Sequence, residues 1–157
     1  MEWEQVEGMV VKGTTLEKQL GTGEYNAGCR SVQKVSRSEQ QQWVEFAAPS
    51  AKKTFQIGFS HLESTEAHER ALTHAIICYN GAFTHPSQLI EPLSHWTYKK
   101  GDRFKVVVTG DQVSYEHNGK EFASAALKPS FPLFVHAAFK SVGAKATQVK
   151  LHTVRGE

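Results

Sequence analysis

Hydrophobic and polar residues alternate with a period of two in several short stretches of the chain. In residues 53–59, Phe55, Ile57 and Phe59 fall on one face, and Gln56 and Gly58 fall between them. Successive side chains of a strand point to opposite faces, so this spacing predicts a strand with one buried face. Further strands are predicted at residues 43–46, 72–79, 104–109, 112–117, 120–124, 132–138 and 146–154.

Short turns connect the three central strands of this set. Gly110 and Asp111 join the first two strands, and Asn118 and Gly119 join the second to the third. Asn-Gly is favoured in type I′ turns because both central residues of that turn need a positive φ. The chain is therefore expected to form a three-stranded antiparallel meander here.

The turns fix which residues of the meander lie opposite each other. Val106 is expected to face Tyr115, Tyr115 to face Phe122, and Lys105 to face Glu116. One face then belongs to the core, and its residues are Phe104, Val106, Val108, Val113, Tyr115 and Phe122. The opposite face is mostly polar, with Arg103, Lys105, Val107, Ser114, Glu116 and Glu121.

Many short strands with few helix signals predict an all-β protein, either a sandwich or a barrel. Residues 1–157 suit a single domain with one core. The polar segment 64–70 can hold one helical turn. Residues 80–93 lack a regular pattern, and a loop of that length usually covers a core or carries function.

Charge and apolar content exclude several classes of partner. Lys and Arg number 18 and Asp and Glu 16, and the basic residues are scattered, so no nucleic-acid partner is expected. No apolar stretch is long enough to span a bilayer, so no membrane partner is expected. The first residues resemble no signal peptide, which predicts a cytoplasmic protein in which Cys29 and Cys78 are reduced and buried, with one disulfide as the alternative.

Residues of the types used in catalysis and metal binding are present, but their spacing in the sequence does not match that of a catalytic pair or a metal site. Glu116 and Glu121 are expected to be cross-strand neighbours, and Lys105 beside them favours a surface charge group over a glycosidase pair. The eight histidines lack metal-ligand spacing, since His68-Glu69 is followed by Leu72 where a second histidine would be needed. We expect no enzymatic activity, no metal and no cofactor.

The aromatic residues divide into expected core residues and candidate ligand contacts. Trp3 and Trp43 lie in apolar or alternating contexts and are expected in the core. Trp96 and Tyr98 precede a polar turn, where they would present an aromatic surface to a sugar ring or a peptide side chain. Packing under the loop at 80–93 is the alternative for this pair.

The order and spacing of several motifs across nearly the whole chain resemble those of the concanavalin A-like lectin/glucanase superfamily. These motifs are Trp3, residues 13–18, residues 25–28 with Ser31, residues 44–46, 57–60, 100–106 and 113–119, Pro132-Leu133 and Gly143-Ala144. The chain looks like a small module appended to larger proteins. The resemblance implies a two-sheet antiparallel jelly-roll sandwich, and it implies no particular reaction.

Two functions remain open from the sequence. The first is a non-catalytic module that recognises a protein partner or positions a larger chain, and the second is a carbohydrate-binding module. The candidate ligand-binding residues are Arg103, Lys105, Ser114, Glu116, Gln56, His136, Trp96 and Tyr98. Gln56 and His136 extend the polar face if their strands belong to the same sheet, and Trp96 and Tyr98 would wall it. The sequence does not predict an oligomeric state.

Overall fold

A computed structural model describes residues 2–19, 27–60, 74–79, 81–85, 96–125 and 128–154. These residues form strands and connecting turns, with no helix among them. The strands are β1 (Trp3–Glu7), β2 (Met9–Lys12), β3 (Thr15–Lys18), β4 (Ala27–Val35), β5 (Gln42–Ala47), β6 (Phe55–Ser60), β7 (His74–Tyr79), β8 (Ala82–Thr84), β9 (Arg103–Thr109), β10 (Gln112–His117), β11 (Lys120–Ser124), β12 (Leu133–Phe139) and β13 (Lys145–His152). The described part of the chain has no segment that qualifies as a membrane-spanning helix.

The strands form two antiparallel sheets packed face to face. The six-stranded sheet has the order β1-β4-β12-β6-β7-β8, and the seven-stranded sheet has the order β11-β10-β9-β5-β13-β3-β2. Sequential strands are often in different sheets, as expected for a jelly roll rather than for a simple meander. The predicted all-β, two-sheet jelly-roll sandwich is confirmed.

The core fills the space between the two sheets. Phe55, Ile57 and Phe59 of β6 point into it and are fully buried, as their alternation predicts. Val106 and Tyr115 reach it from the seven-stranded sheet and are also buried. Burial of such side chains is the main stabilising contribution to a sandwich, at about 1.5–3 kcal/mol for each large one.

The central meander follows the predicted register, with one exception. Val113 lies opposite Val108 and Tyr115 opposite Val106. Beyond the Asn118–Gly119 turn, however, a β-bulge between Tyr115 and Glu116 shifts the pairing, and Tyr115 lies opposite Ala123 instead of Phe122. Phe122 is consequently half-buried at the margin of the core.

Some elements were not predicted from the alternation. Strands β1 to β4 lie in the first 35 residues, where the pattern predicted none, and β8 (Ala82–Thr84) lies inside the predicted loop 80–93. The expected helical turn at 64–70 lies outside the described residues. Cys29 and Cys78 are buried and free. They lie on β4 and β7, with two strands between them, and burial raises the pKa of both thiols.

Candidate functional site

A row of charged residues crosses the outer face of the seven-stranded sheet. Its members lie directly opposite each other on five adjacent strands, and we call them the charged row: Lys150, Glu45, Lys105, Glu116 and Glu121. Adjacent strands are about 4.8 Å apart, so the row is about 19 Å long. It alternates in sign from Lys150 to Glu116 and ends in two carboxylates side by side.

Trp43 lies beside the charged row on the same outer face. Its indole Nε1 donates a hydrogen bond of 3.1 Å to Glu45 Oε1. The His152 ring stacks on the indole with 4.5 Å between centroids, and the Lys105 ammonium is 4.8 Å from the indole centroid. His152 and Lys105 come from β13 and β9, which flank β5 on opposite sides, so they approach Trp43 from its two sides.

An open depression lies at the end of β9 nearest the Asn118–Gly119 turn. Its volume is about 410 Å³. It is lined by Glu45, Arg103, Phe104, Lys105, Glu116, Asn118 and Gly119. Side chains of both charge signs therefore surround one concave surface, and concave surfaces with fixed polar groups are where ligands usually bind.

Among the charged residues in and beside this depression, Glu45 has a partner, because its Oε1 lies 3.5 Å from His152 Nε2. Within the part of the chain that the structure describes, Arg103, Lys105, Glu116 and Glu121 form no ion pair, although each has an opposite charge on its own or a neighbouring strand. The Lys105 ammonium lies over Trp43 and forms no ion pair with Glu116, its cross-strand neighbour. These four groups are therefore available to a ligand.

Asp102 and His117 are adjacent in sequence to the lining residues Arg103 and Asn118, and they contact each other. Asp102 Oδ2 is 2.8 Å from His117 Nε2 and accepts a hydrogen bond of 3.0 Å from the Lys99 N–H. The His117 ring stacks on Phe104 and is tilted against Phe83. The pair thus ties the turn to the aromatic core, which is a structural role.

Burial raises the pKa of Asp102, but hydrogen bonds from Lys99, His117 and Asn118 outweigh it and keep that pKa below its ordinary value. Asp102 is therefore a carboxylate at neutral pH. Among the described residues, no group of three or more His, Cys, Asp or Glu side chains is arranged to hold a metal ion.

Four of the predicted site residues lie on one surface. Arg103, Lys105 and Glu116 line the depression. Ser114 is half-buried on the same outer face, one row further along, where it lies opposite Val107. The polar face predicted from the meander is thus present as a single surface.

Gln56 and His136 do not extend this surface, which corrects the expectation from the sequence. Their strands, β6 and β12, belong to the six-stranded sheet on the other side of the sandwich. Both side chains are buried there, with 1% and 0% of their surface exposed. Alternation gives the face of a strand but not the sheet to which the strand belongs.

Trp96 and Tyr98 do not wall the depression, and this expectation is also corrected. Tyr98 is buried, with the edge of its ring against Phe104. Trp96 is half-buried and packs against Phe83 and Phe122. Both rings complete the core near β8 and β11, which is the packing alternative that the sequence left open.

Trp43, Glu45 and His152 were missed as site residues. Trp43 was expected in the core, but it lies on the outer face of β5. The signal was present, because Val44 and Phe46 alternate inward and Trp43 has the opposite parity. Glu45 then follows on the same outer face as Trp43.

The comparison with solved structures finds the same fold in proteins of different function. The SPRY domain of human HERC1 matches with a TM-score of 0.66 and 16% identity, over 98% of this chain and 98% of that chain. Another human SPRY domain matches with a TM-score of 0.59 and 17% identity, over 100% of this chain and 99% of that chain. The carbohydrate recognition domain of Emp46p matches with a TM-score of 0.55 and 10% identity, over 97% and 89%.

Because all of these sequence identities are low, the likenesses establish the fold and nothing about function. The concanavalin A-like resemblance seen in the sequence is confirmed at the level of the jelly-roll sandwich. No family model matches the sequence, and no curated protein matches it.

Proposed function

We propose that this concanavalin A-like sandwich is a non-catalytic binding module that recognises a segment of a protein partner through the outer face of its seven-stranded sheet. The observation that carries the proposal is the open depression, whose lining residues Arg103, Lys105 and Glu116 form no ion pair among the described residues. Protein segments offer ammonium, guanidinium and carboxylate groups at regular spacing. Complementary charge across an interface supplies specificity and speeds association.

The carboxylates of this face are poorly suited to glycoside hydrolysis. Glu116 and Glu121 lie opposite each other beside an exposed turn, without the enclosing cleft that raises the pKa of a general acid. Glu45 and Glu116 are separated by the strand that carries Lys105. This arrangement supports binding rather than catalysis.

Glycan binding is the second candidate, and the position of Trp43 favours it. An indole beside hydrogen-bonding groups is a common surface for a sugar ring. In this structure, however, His152 and Lys105 already cover the two sides of the indole. A sugar would have to displace one of them, whereas a charged peptide uses Lys105 where it stands.

Parallel screens test the proposal. The domain is screened against a displayed peptide library and against a glycan array, together with two variants that make the same charge change. Lys105→Glu alters the depression, and Lys34→Glu alters an exposed lysine on β4 of the other sheet. We expect peptide binders that Lys105→Glu weakens and Lys34→Glu does not. Glycan binders without peptide binders, or peptide binders indifferent to Lys105→Glu, would overturn the proposal.

A further inference from the structure

We propose that the partner segment is an extended strand carrying a basic and an acidic side chain two residues apart, bound in a bipolar site. This inference rests on the proposed function and specifies its ligand. The positive half of the bipolar site is Arg103 and Lys105 on β9. The negative half is Glu116 on β10 and Glu121 on β11.

The positive half is shaped to hold a carboxylate. Arg103 and Lys105 are two residues apart on β9, so they share the outer face at a separation of about 6.6 Å between their Cα atoms. Both residues line the depression, where the Lys105 ammonium lies over the Trp43 ring and Arg103 is exposed. A carboxylate between them accepts hydrogen bonds from both.

The negative half is shaped to hold an ammonium or guanidinium group. Glu116 and Glu121 are direct cross-strand partners, and like charges in that position repel each other. Neither forms an ion pair within the described ranges. A cation between the two carboxylates relieves their repulsion and pairs with both. The pair of carboxylates therefore binds a basic side chain more strongly than a single carboxylate would.

The distance between the halves sets the spacing in the ligand. The midpoint of β10 and β11 is about one and a half strand spacings from β9, which is roughly 7 Å. In an extended segment, residues two apart point to the same side and are about 6.7 Å apart. A segment crossing the strands therefore places its basic residue over Glu116 and Glu121 while its acidic residue lies over β9. A spacing of one residue fails because the two side chains point in opposite directions.

Fluorescence anisotropy with labelled heptapeptides tests this inference. The probe contains Arg-Ser-Glu between Gly and Ser residues with blocked ends, and the reference peptides contain Gln-Ser-Gln or Glu-Ser-Glu in its place. We expect the Arg-Ser-Glu peptide to bind at least about fivefold more tightly than the Gln-Ser-Gln peptide at low salt, since two exposed ion-pair groups contribute. Glu116→Gln/Glu121→Gln should remove that preference, and the control Glu2→Gln/Glu39→Gln should retain it.

Charge reversal separates recognition from a loss of structure. Glu116→Lys/Glu121→Lys should lose the Arg-Ser-Glu peptide and gain the Glu-Ser-Glu peptide. Equal binding of the Arg-Ser-Glu and Gln-Ser-Gln peptides, including no binding by either, overturns the bipolar site. The proposed function still stands in that case if library peptides remain sensitive to Lys105→Glu. If library peptides also ignore Lys105→Glu, both proposals fall.

Discussion

Among the glycines whose surroundings the structure describes, Gly58 is the one at which an added Cβ would lie closest to neighbouring atoms. A Cβ built at this position of β6 would lie 2.1 Å from the His74 carbonyl oxygen and 2.4 Å from the Ala75 Cα. Both are backbone atoms of β7, so no side chain can rotate away. We expect Gly58→Ala to lower the free energy of unfolding by about 3 kcal/mol, the upper end of what overpacking usually costs. Urea denaturation measures it.

Gly13→Ala is the matched control for that substitution. Gly13 has a φ of +58°, and a Cβ there would meet no atom within 4 Å. Only the cost of the left-handed backbone applies, at about 1 kcal/mol. If Gly58→Ala is no more destabilising than Gly13→Ala, the backbones of β6 and β7 are not as close at Gly58 as the structure places them.

Asp102 should make stability depend on acid pH. Burial raises its pKa, and the stronger effect of its hydrogen bonds with Lys99, His117 and Asn118 leaves the folded pKa below the unfolded value of about 3.9. The unfolded chain therefore binds the proton more readily. The stability that the Asp102 carboxylate contributes is present above pH 3.9 and is lost as the pH falls through the folded pKa.

Asp102→Asn tests this dependence. The difference in free energy of unfolding between the parent and the variant should shrink as the pH falls below about 4. Denaturation at a series of pH values gives the difference directly. If the difference in free energy of unfolding stays the same throughout the acid range, the hydrogen bonds to Asp102 do not stabilise its ionised form.

At the scale of the residue, alternation predicted burial well where a strand had enough apolar residues. Phe55, Ile57 and Phe59 are buried as expected. Trp43 was assigned to the core because it is apolar. Its neighbour Val44 points inward, so alternation along β5 places Trp43 on the outer face. Gln56 and His136 on the six-stranded sheet are polar but buried, so a polar residue does not by itself indicate an exposed face.

At the scale of the element, the β10–β11 hairpin depends on its turn. Asn118 and Gly119 have φ values of 50° and 84°, so both central residues are left-handed, as the type I′ turn requires. Gly119→Val should lower the free energy of unfolding by about 1–2 kcal/mol, because a β-branched residue resists positive φ.

Gly119→Asn separates the backbone effect from the effect of any added side chain. Asn tolerates the left-handed region, and a Cβ at this position has open space around it. We expect the Asn variant to unfold close to the parent in a thermal melt, well above the Val variant. Equal losses in the two variants would contradict the turn geometry.

The β-bulge beside this turn could not be predicted from the sequence. Counting back from a two-residue turn pairs Tyr115 with Phe122, and the bulge between Tyr115 and Glu116 replaces that partner with Ala123. A bulge inserts one residue on one strand, and nothing in an alternating pattern marks where it falls. The pair of Glu116 and Glu121 lies on the turn side of the bulge and was therefore predicted correctly.

At the scale of the whole molecule, the sequence predicted two sheets but not the assignment of strands to them. The meander of β9, β10 and β11 could be registered because its turns are short. Gln56 and His136 were placed by polarity alone, and long connections separate their strands from that meander. The sheet in which such a strand lies is decided by packing of the whole core, which no local pattern encodes.

The outer face of the seven-stranded sheet is the surface proposed to bind the partner. Arg103, Lys105 and Glu116 line a depression on this face without forming an ion pair among the described residues, whereas Gln56 and His136 on the opposite sheet are buried. A ligand bound in the depression must perturb three neighbouring strands together, and those strands are β5, β9 and β10.

The most direct test is a map of backbone amide chemical-shift changes, measured by NMR while a library-selected peptide is titrated into the isotope-labelled domain. We predict that the largest changes cluster at residues 43–45, 103–105 and 114–121, with the signals of β6 and β12 almost unmoved. Changes centred on β6 and β12, or confined to residues far from Lys105, would contradict the claim that this module binds its partner through the outer face of the seven-stranded sheet.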